Sequence, residues 1–257
     1  MTAIRASIRL FLFALLSIFV VGLQTIILPF YRGRASYWLP FFWQWGTRHI
    51  FGIKVFRNGK PVKDRQTMYV SNHISYLDIP VVGSCVIGSF IARGDLSNWP
   101  IFGYMSKMQQ TIFISRDRKD AVAGKNALER KLKDGANLII FAEGTSSDGA
   151  QVLPFKSSLF SLALDNPTGK PLTVQPITIS LLSVAGQPAN NVDVRDLYAW
   201  HRDMTLPPHI WQFAKLKGAT VEIKFHPPRE AAAYRDRKAL CGDCYNDVSG
   251  GLIKQAA

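Results

Sequence analysis

Cysteine is scarce in this chain of 257 residues. Cys85, Cys241 and Cys244 are too few and too unevenly spaced for a disulfide framework, which fits a reducing compartment for the folded body. Cys241 and Cys244 do form a Cys-x-x-Cys, but a zinc site needs a second pair of ligands, and His209 and His226 lack ligand spacing. Both thiols are read as incidental residues of a polar C-terminal stretch, without metal or redox use. Acid is also in deficit: 18 Asp and Glu face 31 Lys and Arg, a formal net charge of +13 that attracts anionic partners. No internal repeat, low-complexity tract or segment of disorder-like composition is present. No aromatic-basic RNA motif and no DNA-binding helix pattern occurs, so a nucleic-acid partner would rest on the basic charge alone. The Gly-x-Ser-x-Gly of a nucleophile elbow is missing as well.

What the chain does have is apolar length. Hydrophobic residues make up 47% of it, enough for a substantial core. Leu10 to Phe30 runs 21 residues without a charge, with Gln24 its most polar member, and as a helix it is long enough to cross a hydrocarbon core. The run is too long for a cleavable leader, and no small-residue cleavage site ends it before Arg32. Tyr37 to Ile50 follows with Trp38, Phe41, Phe42, Trp43 and Trp45, an aromatic concentration of the kind found at a membrane interface. Pro29 and Gly33 lie between the two runs, so a single crossing and a helical hairpin seated in one leaflet both stay open. Arg5 and Arg9 precede the first run and Arg32, Arg34, Arg48, Lys54 and Arg57 follow it, a bias that places the following body in the cytoplasm. The expected division is a membrane anchor over 1–50 and a folded domain over 51–257. An anionic membrane surface is the expected partner, and nucleic acid is not.

After Ile50 the pattern becomes short β-like runs separated by helical stretches. Strands are expected at Met68 to Ser71, Ser89 to Ala92, Ile112 to Ser115, Leu138 to Ala142, Thr173 to Ile179 and Thr220 to Phe225. Helices are expected to start near Leu77, Val122 and Phe155. The alternation implies an α/β fold with a mostly parallel sheet covered by helices. Pro188 to Pro208, rich in polar and turn residues, reads as a long loop or insertion.

Chemistry concentrates at three of the strand ends. His73 follows the strand ending at Ser71, and Asp78 opens a helix whose first turn carries Pro80. Five residues apart, they can fold into an imidazole–carboxylate pair. Asp78 then fixes the tautomer through one ring nitrogen and the other is left to take a proton from a hydroxyl. Phe113 to Lys119 places Arg116, with its bidentate fork, after an apolar strand, and Phe141 to Ser147 does the same for Glu143, Gly144 and Thr145. Ends of parallel strands converge on one rim, where ligands bind.

These segments, in this order, resemble the blocks of the glycerolipid acyltransferase family related to bacterial 1-acylglycerol-3-phosphate acyltransferase, over about Met68 to Ile179. Asn72, His73 and Asp78 match the Asn-His-x4-Asp block, and the resemblance implies that His73 and Asp78 are catalytic. Phe113 to Arg116 matches an apolar strand ending in Arg and implies that Arg116 binds the acceptor headgroup. Phe141-Ala142-Glu143-Gly144-Thr145-Ser146 matches a Phe-Pro-Glu-Gly-Thr-Arg block at Glu143, Gly144 and Thr145, but lacks its Pro and its final Arg. Val174-Gln175-Pro176-Ile177 matches the fourth block, and Pro176 is expected to shape the sheet edge beside an acyl tunnel. Arg93 and Asp95 stand near positions where relatives carry Lys and Glu. The expected binding set is thus Arg93, Arg116, Glu143, Gly144, Thr145, Ser146 and Pro176.

The reaction so implied is transfer of a fatty acyl group from acyl carrier protein or coenzyme A thioester to the free hydroxyl of a lysolipid. No metal and no cofactor is required. The first acceptor expected is 1-acyl-sn-glycerol-3-phosphate, giving phosphatidic acid for phospholipid synthesis at a bacterial inner membrane. Ser146, standing where the family's Arg grips phosphate, keeps a second acceptor open, because some relatives with Ser or Thr there resemble acyltransferases of lyso-ornithine lipid. A non-catalytic lipid-binding protein on the same fold is the reading from another class.

Overall fold

The computed structural model describes residues 2–31, 33–114, 118–166 and 168–253, without the side chains of 118–123. The chain opens with helix α1 (Thr2–Ile27), a short 3₁₀ turn and helix α2 (Trp38–Ile50), then strands β1 (Lys54–Asn58) and β2 (Thr67–Ser71). Helix α3 (Asp78–Gly83), β3 (Ser89–Arg93), α4 (Phe102–Met108), β4 (Ile112–Ile114), α5 (Arg118–Lys133) and β5 (Leu138–Phe141) follow. The last part holds α6 (Ser161–Leu164), β6 (Thr173–Val184), β7 (Gln187–Pro188), α7 (Val192–Asp196), α8 (Leu206–Lys215), β8 (Ala219–Phe225), β9 (Arg229–Glu230) and α9 (Arg237–Gly251).

The main sheet runs β1-β8-β6-β2-β5-β3-β4. Every pairing along that path is parallel except β6 with β8, and β7 and β9 pair with β6 antiparallel. The parallel α/β architecture agrees with the alternation in the sequence. All side chains of β2 are buried, as expected of a strand covered on both faces. One core cluster, including Tyr69, Ile74, Val81, Ile177 and Ile223, lies on one side of the sheet, and a second, including Met68, Val70, Leu138, Phe160 and Leu240, on the other.

Several boundaries moved. The strand expected to stop at Ile179 continues to Val184, because Ser180 and Ser183 look like a polar end, yet Ser180 is buried and its Oγ accepts from the Ile253 amide at 3.1 Å. Strand β1 carries mostly exposed side chains and so has no apolar run to reveal it. The helix expected near Phe155 shrinks to a 3₁₀ turn at Ser157–Phe160 and the single turn of α6. Cys241 and Cys244 are not surface thiols: α9, capped by Asp236 accepting from the Lys238 and Ala239 amides, turns both into the second core cluster.

The first apolar run is a helix, and its residues Ala6, Ser17, Val20 and Gln24 are buried against the rest of the chain. The guanidinium of Arg9 donates to the carbonyls of Leu216 at 2.7 Å and Ala214 at 3.4 Å, and Arg5 donates to Lys215 at 3.0 Å. Those are unpaired carbonyls at the C-terminus of α8, where cations are favoured. At the other end Gln24 donates to the Ser36 carbonyl at 3.0 Å and the Thr25 and Tyr104 hydroxyls lie 2.8 Å apart. Trp43 of α2 donates to Ser17 Oγ midway, at 3.0 Å. Ile4, Ile8, Phe11, Leu15, Ile18 and Phe19 of α1 face outward, together with Trp38, Phe42 and Trp45 of α2.

Candidate active site

Register builds the site. Ser71 of β2 is aligned with Phe141 of β5, so His73 and Glu143, each two residues beyond, leave the sheet side by side. Asn72, buried between them and β6, donates from Nδ2 to the Ile179 carbonyl at 2.9 Å and accepts at Oδ1 from the Ile179 amide at 2.8 Å. It bridges the end of β2 to β6 and fixes where His73 begins.

The histidine and the aspartate meet as the sequence predicts. His73 Nδ1 lies 2.9 Å from Asp78 Oδ2, and that same oxygen accepts from the backbone amides of Ile74 at 2.6 Å and Ser75 at 2.9 Å. Asp78 is fully buried, while the His73 side chain keeps 19% of its surface exposed. A carboxylate acceptor requires the proton on Nδ1, which leaves Nε2 as the basic nitrogen. The Phe141 ring stacks on the imidazole at 3.9 Å with an 11° tilt and holds its plane. The amide of Ser147 donates to the His73 carbonyl at 2.9 Å, tying the two loops together.

Glu143 is buried, and its Oε1 accepts weakly from the His73 amide at 3.4 Å. Its Oε2 has no protein partner among the described residues. Burial pushes its carboxyl up to about 8, held back by backbone amides and raised further by the Asp78 charge. Near neutral pH it is therefore mostly a protonated acid beside the dyad, able to donate a hydrogen bond. Gly144 turns the chain at φ +68°. A Cβ there would stand 2.5 Å from Nζ of Lys156, so a lysine lies directly over the turn. The Lys156 amide is bonded to the Ala142 carbonyl at 2.9 Å, and its side chain makes no ion pair among the described residues. Thr145 is exposed at the rim, and Ser146 donates its hydroxyl to the Trp200 carbonyl.

The other expected residues lie apart. Arg93 is exposed and paired with Asp95 through two hydrogen bonds, at 3.1 and 2.5 Å. Arg116 lies outside the described residues. Pro176 is in the interior of the sheet, opposite Val70 of β2, rather than at an edge. Its missing N–H is tolerated because it sits between the β9 pairing, which ends at Val174, and the β8 pairing, which begins at Ile177.

Sequence reasoning missed Tyr198. Its side chain is fully buried and its hydroxyl donates to Asp78 Oδ1 at 3.0 Å. The stretch read as a loop is ordered around it: Asn191 caps α7 by accepting from the Val194 amide at 3.0 Å, and Val194 and Ala199 are buried. The Asn191 cap ahead of Val194 was the available signal for α7, though not for Tyr198.

A narrow cleft between α2 and β3 is lined by Tyr37, Phe41, Val86 and Phe90 among others. Phe90 stacks on Phe141 at 6.0 Å, and Phe141 stacks on His73, so aromatic rings link the cleft to the dyad. Among the described residues no three side chains of His, Cys, Asp or Glu converge to hold a metal ion.

Comparison with known proteins bears on this geometry. Residues 53–180 match the family described as Acyltransferase. The lyso-ornithine lipid O-acyltransferase of Brucella abortus is 32% identical over 250 residues, covering 94% of this chain and 93% of that protein. A 1-acyl-sn-glycerol-3-phosphate acyltransferase of Neisseria gonorrhoeae is 30% identical over 185 residues, 71% of this chain and 68% of that protein. The crystal structure of the 1-acyl-sn-glycerophosphate acyltransferase PlsC of Thermotoga maritima has a similar fold, with a TM-score of 0.68, 23% identity and coverage of 98% and 96% of the two chains.

Proposed function

We infer the reaction from one premise: this chain belongs to the acyltransferase family. His73 and Asp78 are its catalytic pair, and the acceptor is the free hydroxyl of a lysolipid. His73 Nε2 takes the hydroxyl proton as that oxygen attacks the thioester carbonyl of the donor. The tetrahedral intermediate collapses, the carbon–sulfur bond breaks, and His73 returns the proton to the leaving thiolate. Asp78 keeps Nδ1 protonated and balances the imidazolium while it exists. The buried pairing of His73 with Asp78 is the observation that carries this reading. The donor is an acyl carrier protein or coenzyme A thioester.

For the acceptor we place lyso-ornithine lipid ahead of lysophosphatidic acid. Ser146 brings no charge where the resemblance has an Arg, and its hydroxyl is engaged by Trp200. A phosphate dianion is then left without that cation, whereas an amino-acid headgroup with a carboxylate and an ammonium asks less of the site. Lys156, over Gly144, is placed to meet one such carboxylate. The Brucella abortus relative, 32% identical and matched along 93% of its length, carries the same acceptor in its name. In detergent micelles kcat/KM should be at least about tenfold higher for lyso-ornithine lipid, the worth of one charge-assisted bond. Ser146→Arg should narrow the gap. Efficient use of lysophosphatidic acid alone would reverse the order of acceptors.

We read the exposed face of α1 and the aromatics of α2 as the membrane contact, with residues 1–50 as the anchor and 51–257 as the catalytic domain. Long enough to cross, α1 is nevertheless held at both ends by the same body, through Arg5 and Arg9 at one and Thr25 at the other. A hairpin seated in one leaflet of the inner membrane satisfies both sets of bonds. In a background lacking Cys85, Cys241 and Cys244, Thr2→Cys and Arg34→Cys should react with an impermeant maleimide from the cytoplasmic side only. Labelling from opposite sides would mean that α1 crosses.

A further inference from the structure

Tyr198 is tied to the dyad from 120 residues away in sequence. The segment that carries it makes further bonds to both catalytic loops. The Trp200 amide donates to the Ile74 carbonyl at 3.0 Å, between His73 and Asp78, and the Trp200 carbonyl accepts from Ser146 on the Glu143 loop. The Trp200 ring meets Tyr76 edge to face at 6.0 Å. Arg195 of α7 reaches Asp148 at 3.5 Å, beyond the same loop. We propose that Tyr198 is a positioning residue for transfer: its hydroxyl holds the Asp78 carboxylate aligned on His73, on a strap that fastens the two catalytic loops together. This rests on His73 and Asp78 being the catalytic pair.

Asp78 sits where an anion is expensive, fully buried and without a cationic side chain as a direct partner other than the imidazole it serves. Its Oδ2 is satisfied by the Ile74 and Ser75 amides and by His73, and Oδ1 receives the Tyr198 hydroxyl. The titratable groups facing the pair are Glu143 from the end of β5, Tyr76 from the same turn, and Tyr198 itself. Burial keeps the phenol of Tyr198 far above its ordinary range, so it remains a donor at every pH at which the enzyme works. Removing that donor leaves one oxygen of a buried carboxylate unpaired. The pair then binds a proton more tightly, and a base that holds its proton cannot accept one.

The experiment compares wild type and Tyr198→Phe, both full-length in micelles, by the pH dependence of kcat/KM and by NMR titration of labelled histidine, with the His73 signal assigned by its loss in His73→Gln. We expect kcat to fall about tenfold, with little change in acceptor KM, and the acid limb and the His73 midpoint to rise together by about one pH unit. Where Tyr198→Phe fails to fold, 3-fluorotyrosine at 198 keeps the ring and sharpens the donor, and both midpoints should instead move down. A lowered Tm with both midpoints unmoved overturns the proposal and leaves Tyr198 a packing residue. If wild type turns over no lysolipid, the transferase reading fails, while the NMR comparison still decides what Tyr198 does.

Discussion

His73→Ala should lower acyl transfer about 10²–10⁴-fold, the typical worth of a positioned general base, and should leave the protein folded and membrane-bound. The side chain's environment argues for a mostly catalytic loss, the Nδ1 bond to buried Asp78 being the one hydrogen bond that goes with the ring. Its amide and carbonyl, rather than its ring, carry the bonds to Glu143 and Ser147, and those survive truncation. The ring does cover Phe141, so some packing is lost, but at a partly exposed position where little of it is stability. Rate measured at saturating donor and acceptor, beside a thermal melt, separates the two. A fall of less than about threefold with an unchanged melt would remove His73 from the chemistry.

Asp78→Asn is the second large effect, and the structure changes its rationale. The sequence suggests that an amide at this position would disturb the tautomer. In the fold, three donors converge on Oδ2: the Ile74 amide, the Ser75 amide and His73 Nδ1. An asparagine can place its carbonyl oxygen there and its NH₂ toward the Tyr198 hydroxyl, which can turn and accept. The tautomer is kept and the charge is lost. What disappears is the stabilisation of the imidazolium, about 1.5–3 kcal/mol for a charge-assisted bond, or about ten- to hundredfold in kcat. Acceptor KM should be unmoved, and the acid limb should shift downward because an uncharged neighbour no longer favours the protonated ring. Asp78→Ala differs: it strands buried donors and should unfold the loop as well as stop the reaction. A change confined to KM in Asp78→Asn would place that residue in binding instead.

Legibility followed distance along the chain. The dyad could be read because both partners fall within six residues, between a strand of buried apolar side chains and a proline that marks a first helical turn. Glu143 could be read because parallel strands bring their ends to one rim, and register puts it beside His73. Tyr198 could not, since nothing local in Leu197 to Trp200 announces a partner far back in sequence, and the surrounding Asn, Asp and Pro residues resemble a loop. Lys156 was missed for a related reason: its relation to Gly144 depends on how the chain returns after Gly149. The anchor shows a third kind of limit. Composition identifies Leu10 to Phe30 as membrane-seeking, but only the contacts of Arg9 and Thr25 reveal that both its ends hold the same body.

The measurement closest to the central claim counts thiol against product. Full-length protein in micelles is given a thioester acyl donor with and without a lysolipid acceptor, and free thiol and acylated lipid are followed together. Direct transfer through His73 predicts one thiol released per acylated lipid, negligible release without the lysolipid, and loss of both in His73→Ala. A burst of thiol without acceptor, or release that persists in His73→Ala, would contradict the account.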